Sequence, residues 1–209
     1  MKTTDEVVEI EIKNNKNTKI YFDIDDTVAD LKGFLDSLEI TKEILDDAEL
    51  IFNKYYKNTG NSLEHIIRST LFFKNYDTMY KHIKKLNNSI FNQINQTNLD
   101  ISFLTFLPRK KKIEKFLDLL NTESTIGVNS IIDSFYKELK KEKIYWIRNI
   151  LHSSSNILFA SLDDGGKEKY ANNNSYLIDN DENNINKFIK AGGHGILFDA
   201  NKVYKIKLV

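Results

Sequence analysis

Two aspartates one residue apart, Asp23 and Asp25, follow a short apolar run, and Thr27 comes two residues later. A second apolar run, Ile101-Ser-Phe-Leu, ends in Thr105; a third, Tyr176-Leu-Ile, ends in Asp179, with Lys167 in the segment before it. In an open parallel sheet, ligands bind outside the carboxyl ends of the strands, so polar groups placed just after strand runs are the first candidates for chemistry. Three carboxylates gathered in one cleft repel each other, and burying them unpaired is costly. A cation is therefore expected. Hard oxygen ligands with no His or Cys among them favour Mg²⁺, which keeps waters and takes one or two carboxylates plus a substrate phosphate. Beside such an ion one carboxylate can attack phosphorus covalently while a second, two residues on, trades protons. Lys167 and the hydroxyls would hold the phosphoryl oxygens.

The elements that must position these groups are legible as changes of period. Val7, Val8, Ile10 and Ile12 alternate with acids like a strand, and a polar turn leads into Ile20-Tyr-Phe-Asp23. From Leu31 to about Leu99 the spacing becomes helical. Leu35, Leu38, Ile44, Leu45, Ala48, Ile51, Phe52 and Tyr55 mark the first part, and Asn61-Ser62 can cap a helix running through Leu71. Met79, Ile83, Leu86, Ile90 and Ile94 fall on one face, which predicts a single third helix. Strand character returns at Ile101–Thr105 and stops at Pro108, the only proline. Helices are expected through Leu120 and from about Ile131 to Leu151. Runs at Asn156–Phe159, Tyr176–Asp179 and Gly195–Phe198 are short and apolar, and helical stretches separate most of them. Short buried strands alternating with helices indicate an α/β fold, a Rossmann-like parallel sheet. The core is expected over 1–32 and 99–209, with a helical cap inserted at 33–98. Val203-Tyr-Lys-Ile-Lys-Leu208 alternates and is expected to pair at an edge with residues 7–12.

A length of 209 residues suits one core carrying a smaller lobe. Lys+Arg and Asp+Glu are 30 each, so the net charge is zero, which disfavours a dedicated nucleic-acid or polybasic membrane binder. With no cysteine there is no disulfide framework, thiolate metal site or cysteine nucleophile. The start lacks the continuous apolar region of a secretory signal, so an intracellular, cytoplasmic location is expected. No stretch approaches about 18 uninterrupted apolar residues, so no membrane partner is expected either.

Tyr21-Phe-Asp-Ile-Asp-Asp-Thr-Val28 resembles the first motif, D-x-D-x-[TV] after an apolar strand, of the haloacid dehalogenase-like phosphohydrolase superfamily. Thr105 is similar to its second motif, Lys167 to its third and Leu-Ile-Asp179 to its fourth, in the right order, with the helical block where that superfamily carries a cap. Gly-Lys167-Glu-Lys-Tyr-Ala, Tyr-Leu-Ile-Asp-Asn-Asp-Glu-Asn-Asn184-Ile and Ala-Gly-Gly-His-Gly-Ile-Leu resemble the 5′(3′)-deoxyribonucleotidase branch. The resemblance covers residues 20–31 and about 143–198. It implies Asp23 as nucleophile and Asp25 as general acid and base. Asp23, the Asp25 carbonyl and Asp179 would be Mg²⁺ ligands, and Thr105 and Lys167 would bind phosphate. The implied activity is a Mg²⁺-dependent phosphomonoesterase of the 5′-nucleotidase type, acting on (deoxy)nucleoside monophosphates through an aspartyl-phosphate. Asn180 departs from an Asp-Asp pattern, with Thr27 and Asn180 as possible supports of the metal site, and Asp26 stands where glycine is common. The alternatives are a phosphatase for another small phosphomonoester, or a non-catalytic member that only binds a nucleotide or partner.

Several residues have blander uses. Asp23–Thr27 alone could be an Asp-rich turn, and Thr105 a strand-end cap. Lys169 competes with Lys167. His194, between glycines, is expected in a turn leading into a strand rather than in a phosphate cradle. Arg109–Lys112 is expected to be solvated surface, and Phe72, Phe73, Tyr76 and Tyr80 are expected to pack helices rather than stack on a base.

Overall fold

In the computed structural model, residues 7–117 and 127–209 are described. Five short strands form a wholly parallel sheet: β2 (Lys19–Phe22), β3 (Asp100–Phe106), β4 (Asn156–Ala160), β5 (Ser175–Asp179) and β6 (His194–Leu197). Their spatial order is β4-β3-β2-β5-β6. Read in chain order within this sheet, that is 3-2-1-4-5, so the direction of winding reverses between β2 and β5. Every residue of β5 is buried, as is most of β2 and β3, which is why these strands read as unbroken apolar runs in the sequence. The expected α/β, Rossmann-like parallel sheet is present.

The predicted pairing of the two chain ends also forms, as a sheet of its own. β1 (Val7–Ile12) and β7 (Val203–Leu208) run parallel, in a register that sets Glu9 beside Lys205 and Glu11 beside Lys207. Helix α4 (Ser89–Ile94) closes the free edge of β7 with side chains instead of a strand. The Gln93 amide donates to Tyr204 O at 2.7 Å and accepts from Ile206 N–H at 3.0 Å, and Ser89 Oγ accepts from Tyr204 N–H at 3.1 Å. Residues one helical turn apart on α4 thus supply the hydrogen bonds that an exposed sheet edge lacks.

The chain divides into two compact units. One comprises the described residues of Met1–Asp30, Lys84–Leu107 and Ser153–Val209, and holds both sheets. The other comprises those of Leu31–Ile83 and Pro108–His152. It contains α1 (Leu31–Ser37), α2 (Lys42–Ile51) with a wider turn over Phe52–Tyr56, α3 (Leu63–Asn75), α5 (Lys110–Leu117) and α6 (Val128–Asn149). These bounds differ from the expected insert at 33–98, and packing explains the difference. Phe73 stacks on Phe116 at 4.2 Å and Tyr76 lies 4.2 Å from Phe135, while the Trp146 indole donates to Ile83 O at 2.9 Å. Those contacts join α5 and α6 to the earlier helices, and they give the aromatic group the helix-packing role expected of it.

The single third helix predicted from Met79 to Ile94 does not form. A short 3₁₀ turn, Met79–Lys81, is followed by extended chain and then by α4. Met79, Ile83, Ile90 and Ile94 are all buried as their spacing suggested, but the residues between are claimed by a different partner. Asp30 N–H donates to Lys84 O and Leu86 N–H to Val28 O, both at 2.8 Å, and Ala29 bridges Lys85 antiparallel. Helical α4 therefore belongs with the sheets, where Phe91 lies 5.3 Å edge-on to Phe22 and 5.9 Å from Phe103. The other expected helices and strands occur, with ends shifted by a few residues; residues 118–120 of the helix expected through Leu120 lie outside the described residues. Among the described residues no helix is long and apolar enough to cross a membrane.

Because Gln93 holds two backbone groups of β7, Gln93→Ala leaves both without these partners. Unpaired buried donors and acceptors cost about 1–3 kcal/mol each; with partial water access, an overall loss of about 1–3 kcal/mol is expected. Urea unfolding of the wild type and the variant measures it, and an unchanged midpoint would show that the edge needs no closure.

Candidate active site

The parallel register brings the ends of β2 and β5 together. Phe22 pairs with Ile178, and Asp23 N–H donates to Ile178 O at 2.9 Å, so Asp23 and Asp179 leave adjacent strands at the same level. This is the point where the winding reverses, the usual location of a ligand crevice in such sheets. Asp179 is fully buried, Lys167 is 1% exposed and Asp23 7%. The Lys167 ammonium lies between the two carboxylates, 2.6 Å from Asp23 Oδ1 and 2.7 Å from Asp179 Oδ2. Its other flank meets the Phe106 ring, 5.0 Å from the centroid.

Local chain geometry delivers Lys167 to this place. Gly166 has φ +62° and ψ −160°, a conformation that side-chain-bearing residues rarely take, and it turns the chain so that Lys167 enters the interior from a short 3₁₀ turn, Lys167–Tyr170. Burial alone would lower the Lys167 pKa. The Asp23 and Asp179 charges and hydrogen bonds outweigh burial, so the ammonium is held above its ordinary value. Lys169, the competing lysine, is instead paired with Asp164 at the surface. Of the two lysines, Lys167 is the one that meets Asp23 and Asp179.

Two further donors hold the Asp179 carboxylate. Its Oδ1 accepts from Asp181 N–H at 2.8 Å, and its Oδ2 accepts from Asn184 Nδ2 at 3.0 Å as well as from Lys167. Helix α7 (Glu182–Lys190) supplies Asn184 from its first turn and is capped by Asp181, whose side chain accepts from Asn183 N–H. Sequence reasoning assigned no role to Asn184. Its signal was the spacing, five residues beyond Asp179 and three beyond a helix-capping aspartate.

The segment after β2 is a tight turn. Ile24 O accepts from the amides of Thr27, Val28 and Ala29, and Asp26 N–H donates to Ala29 O at 2.7 Å. Asp26 sits at φ +56°, which explains why its position suits glycine; a short polar side chain tolerates it. Asp25 and Asp26 are half-buried at the tip, while Thr27 is fully buried. The Thr27 hydroxyl donates to Asn180 Oδ1 at 3.1 Å and accepts from Asn180 N–H at 3.2 Å. Thr27 and Asn180 therefore couple the turn after β2 to the turn after β5. Thr105 is fully buried at the next-to-last position of β3, beside β2; the ion pairs that join Asp23, Lys167 and Asp179 do not include it or Asp25.

The glycines around His194 have a packing role. A Cβ on Gly193 would stand 2.3 Å from the Phe188 ring, and one on Gly195 would stand 2.6 Å from Ile185. They let α7 approach β6 closely. His194 opens β6, as expected of a turn-to-strand residue, and stacks on Tyr176 with centroids 4.5 Å apart.

Two buried carboxylates against one ammonium leave one negative charge, with Asp25 close by in sequence. Among the described residues no group of three acidic or histidine side chains is arranged to hold a metal ion. A cation here would rest on the Asp23 and Asp179 carboxylates, completed by backbone or water oxygens. That set of hard oxygen donors with residual negative charge fits Mg²⁺, which keeps several waters and needs few protein carboxylates. Chemically, the cleft offers a carboxylate oriented by a cation, a second carboxyl two residues on, and a site where anionic oxygens meet an ammonium.

Neither protein-family models nor curated proteins give a match to this chain. Among solved structures it is similar to a HAD-superfamily hydrolase from Ehrlichia chaffeensis, with 11% identity over 90% of each chain and a TM-score of 0.38. It is similar too to the putative HAD-hydrolase YfnB from Bacillus subtilis bound to magnesium, with 11% identity over 85% of each chain and a TM-score of 0.40. A putative β-phosphoglucomutase from Thermotoga maritima, with 11% identity over 88% of this chain and 95% of that one, scores 0.31. The likeness is weak, so the chemistry of the cleft has to be derived from its own side chains.

Proposed function

We propose that the protein is a phosphomonoesterase that works through a phosphorylated aspartate, with nucleoside or deoxynucleoside 5′-monophosphates as the favoured substrates. The observation that carries this reading is the Lys167 ammonium bonded to both Asp23 and Asp179 at the point where the sheet's winding reverses. A binding protein has little need of two buried carboxylates held beside a proton-transfer candidate.

In the proposed reaction an Asp23 carboxylate oxygen attacks phosphorus and the P–O bond to the leaving group breaks. The Asp25 carboxyl gives its proton to the departing alkoxide. Water then attacks the phosphorus of the acyl phosphate, the Asp25 carboxylate takes its proton, and phosphate leaves with Asp23 restored. Lys167 reduces repulsion between the anionic substrate and the Asp23 carboxylate, and Thr105 is assigned to the phosphoryl oxygens. Asp179 keeps Lys167 in place and, with Asp23 and the Asp25 carbonyl, would hold Mg²⁺. When bound, that ion would offset negative charge on the transferring group. Asn184 fixes the Asp179 carboxylate. Substrate choice is assigned to the helical unit, and the nucleotide preference rests on the resemblance of the segment from Lys167 to Leu197.

Phosphate release from a panel of nucleotides and sugar phosphates, with Mg²⁺ and with chelator, tests the reading. Nucleoside monophosphates should lead in kcat/KM and chelator should abolish turnover. A hexose or triose phosphate ahead by about tenfold would reassign the substrate but keep the chemistry. Asp23→Asn should remove turnover while the fold survives by circular dichroism; a well-folded variant with near wild-type activity would refute the nucleophile. Asn180→Asp keeps the acceptor for the Thr27 hydroxyl and adds a negative charge near the proposed ion. Groups that support metal ligands typically change affinity or activity by about 10–100-fold, so the Mg²⁺ needed for half-maximal rate should fall. Identical Mg²⁺ titrations would remove Asn180 from the metal site, and a wild type silent at every Mg²⁺ level would favour a binding-only protein.

A further inference from the structure

Asn88 is 2% exposed and lies outside every motif discussed so far, yet its amide is used at both ends. Its Oδ1 accepts from Phe91 N–H at 2.9 Å, which caps α4, and its Nδ2 donates to Thr27 O at 2.8 Å. A capping residue needs only the acceptor. The donor has a different target: the backbone of the turn whose tip carries Asp25. Thr27 in turn engages Asn180 through its hydroxyl, so the carbonyl and side chain of one buried residue are gripped from two elements, the segment before α4 and the end of β5. Next to Asn88, residues 84–86 hydrogen-bond to 28–30, which fixes the far side of the same turn. The turn itself contains a strained residue, Asp26 at φ +56°, and a backbone in that region persists only where its surroundings over-determine it.

We propose that Asn88 is a positioning residue for the hydrolysis, fixing the pose of Asp25 through the Thr27 carbonyl; this rests on the phosphatase reading. Proton transfer is sensitive to such placement, because a general acid must come within hydrogen-bond reach of the leaving oxygen. Loss of the Asn88 donor lets the turn relax and Asp25 drift, while Asp23, Lys167 and Asp179 stay held by their own contacts.

The role separates from the cap by substitution. Asn88→Asp keeps the acceptor for Phe91 N–H and replaces the donor with an oxygen facing the Thr27 carbonyl. Asn88→Ser also keeps a capping acceptor, introduces no charge, and is too short to reproduce both bonds. Hydrolysis of an alkyl phosphate, the best nucleoside 5′-monophosphate or sugar phosphate of the substrate panel, and of nitrophenyl phosphate is compared in wild type and both variants, at saturating Mg²⁺. A smaller folded fraction lowers both rates by one factor. A displaced general acid lowers the alkyl phosphate rate more, since nitrophenolate leaves without a proton. The expected result is a kcat/KM loss on the alkyl phosphate at least about tenfold larger than on nitrophenyl phosphate, a fraction of the roughly 10²–10⁴-fold that a general acid supplies; kcat/KM is compared because hydrolysis of the acyl phosphate, in which Asp25 is the base, is common to both substrates. Equal losses on the two substrates, no loss, or failure of both variants to fold would overturn the positioning role while leaving an active wild type, and with it the phosphatase reading, intact. A wild type inactive on both substrates would overturn the phosphatase reading and the role of Asn88 with it.

Discussion

A single ammonium, that of Lys167, bridges the buried carboxylates at the ends of β2 and β5. Asp23 and Asp179 leave neighbouring strands at one level because β2 and β5 are parallel and in register, so their carboxylates are forced into proximity by the backbone, whatever their mutual repulsion. Removing such charges from water costs several kcal/mol each, and breaking a buried pair by deleting one partner is strongly destabilising. Lys167 offsets both carboxylates at once, 2.6 Å from one and 2.7 Å from the other. The rest of the local structure can be understood as what that arrangement requires: Gly166 to turn the chain inward, Phe106 to flank the ammonium, Asp181 and Asn184 to satisfy the remaining Asp179 oxygens. Even so the balance stops short of neutrality. Within these three side chains one formal negative charge is left over, and it is this charge that the proposed Mg²⁺ would meet.

Much of this was legible in the sequence because the physics of parallel sheets is local. Strands buried on both faces are largely apolar, so Ile20–Phe22, Ile101–Leu104 and Tyr176–Ile178 stood out, and the polar residues after these runs fall at the carboxyl ends of the strands, where the proposed site lies. What stayed hidden depends on partners distant in the chain. The helical spacing of Met79, Ile83, Ile90 and Ile94 reported burial correctly, but burial in two different places: periodicity does not reveal that residues 84–86 bond to 28–30. Similarly, α5 and α6 read as helices, but their membership of the helical unit comes from tertiary contacts such as the stacking of Phe73 on Phe116, the Tyr76–Phe135 contact and the bond from Trp146 to Ile83. Asn88, and the role of Asn184, escaped the sequence reading for another reason. Asparagine is abundant in this chain, and nothing in its identity distinguishes an amide that caps or solvates from one that orients a buried carboxylate or carbonyl.

Asn180 shows how a departure from a motif can be consistent with the physical balance around it. Its backbone N–H and side-chain oxygen close a reciprocal pair with the Thr27 hydroxyl, in which the hydroxyl donates once and accepts once. A carboxylate at this position would preserve the same acceptor, so the link between the two turns does not by itself demand an amide. The difference lies in charge. Asp23 and Asp179 already exceed Lys167 by one negative charge, and a further carboxylate next to Asp179 in the chain would deepen that excess. The neutral amide adds no charge beside Asp179. The hydrogen bonds between Asn180 and Thr27 keep the turn that carries Asp25 attached to the end of the strand that carries Asp179.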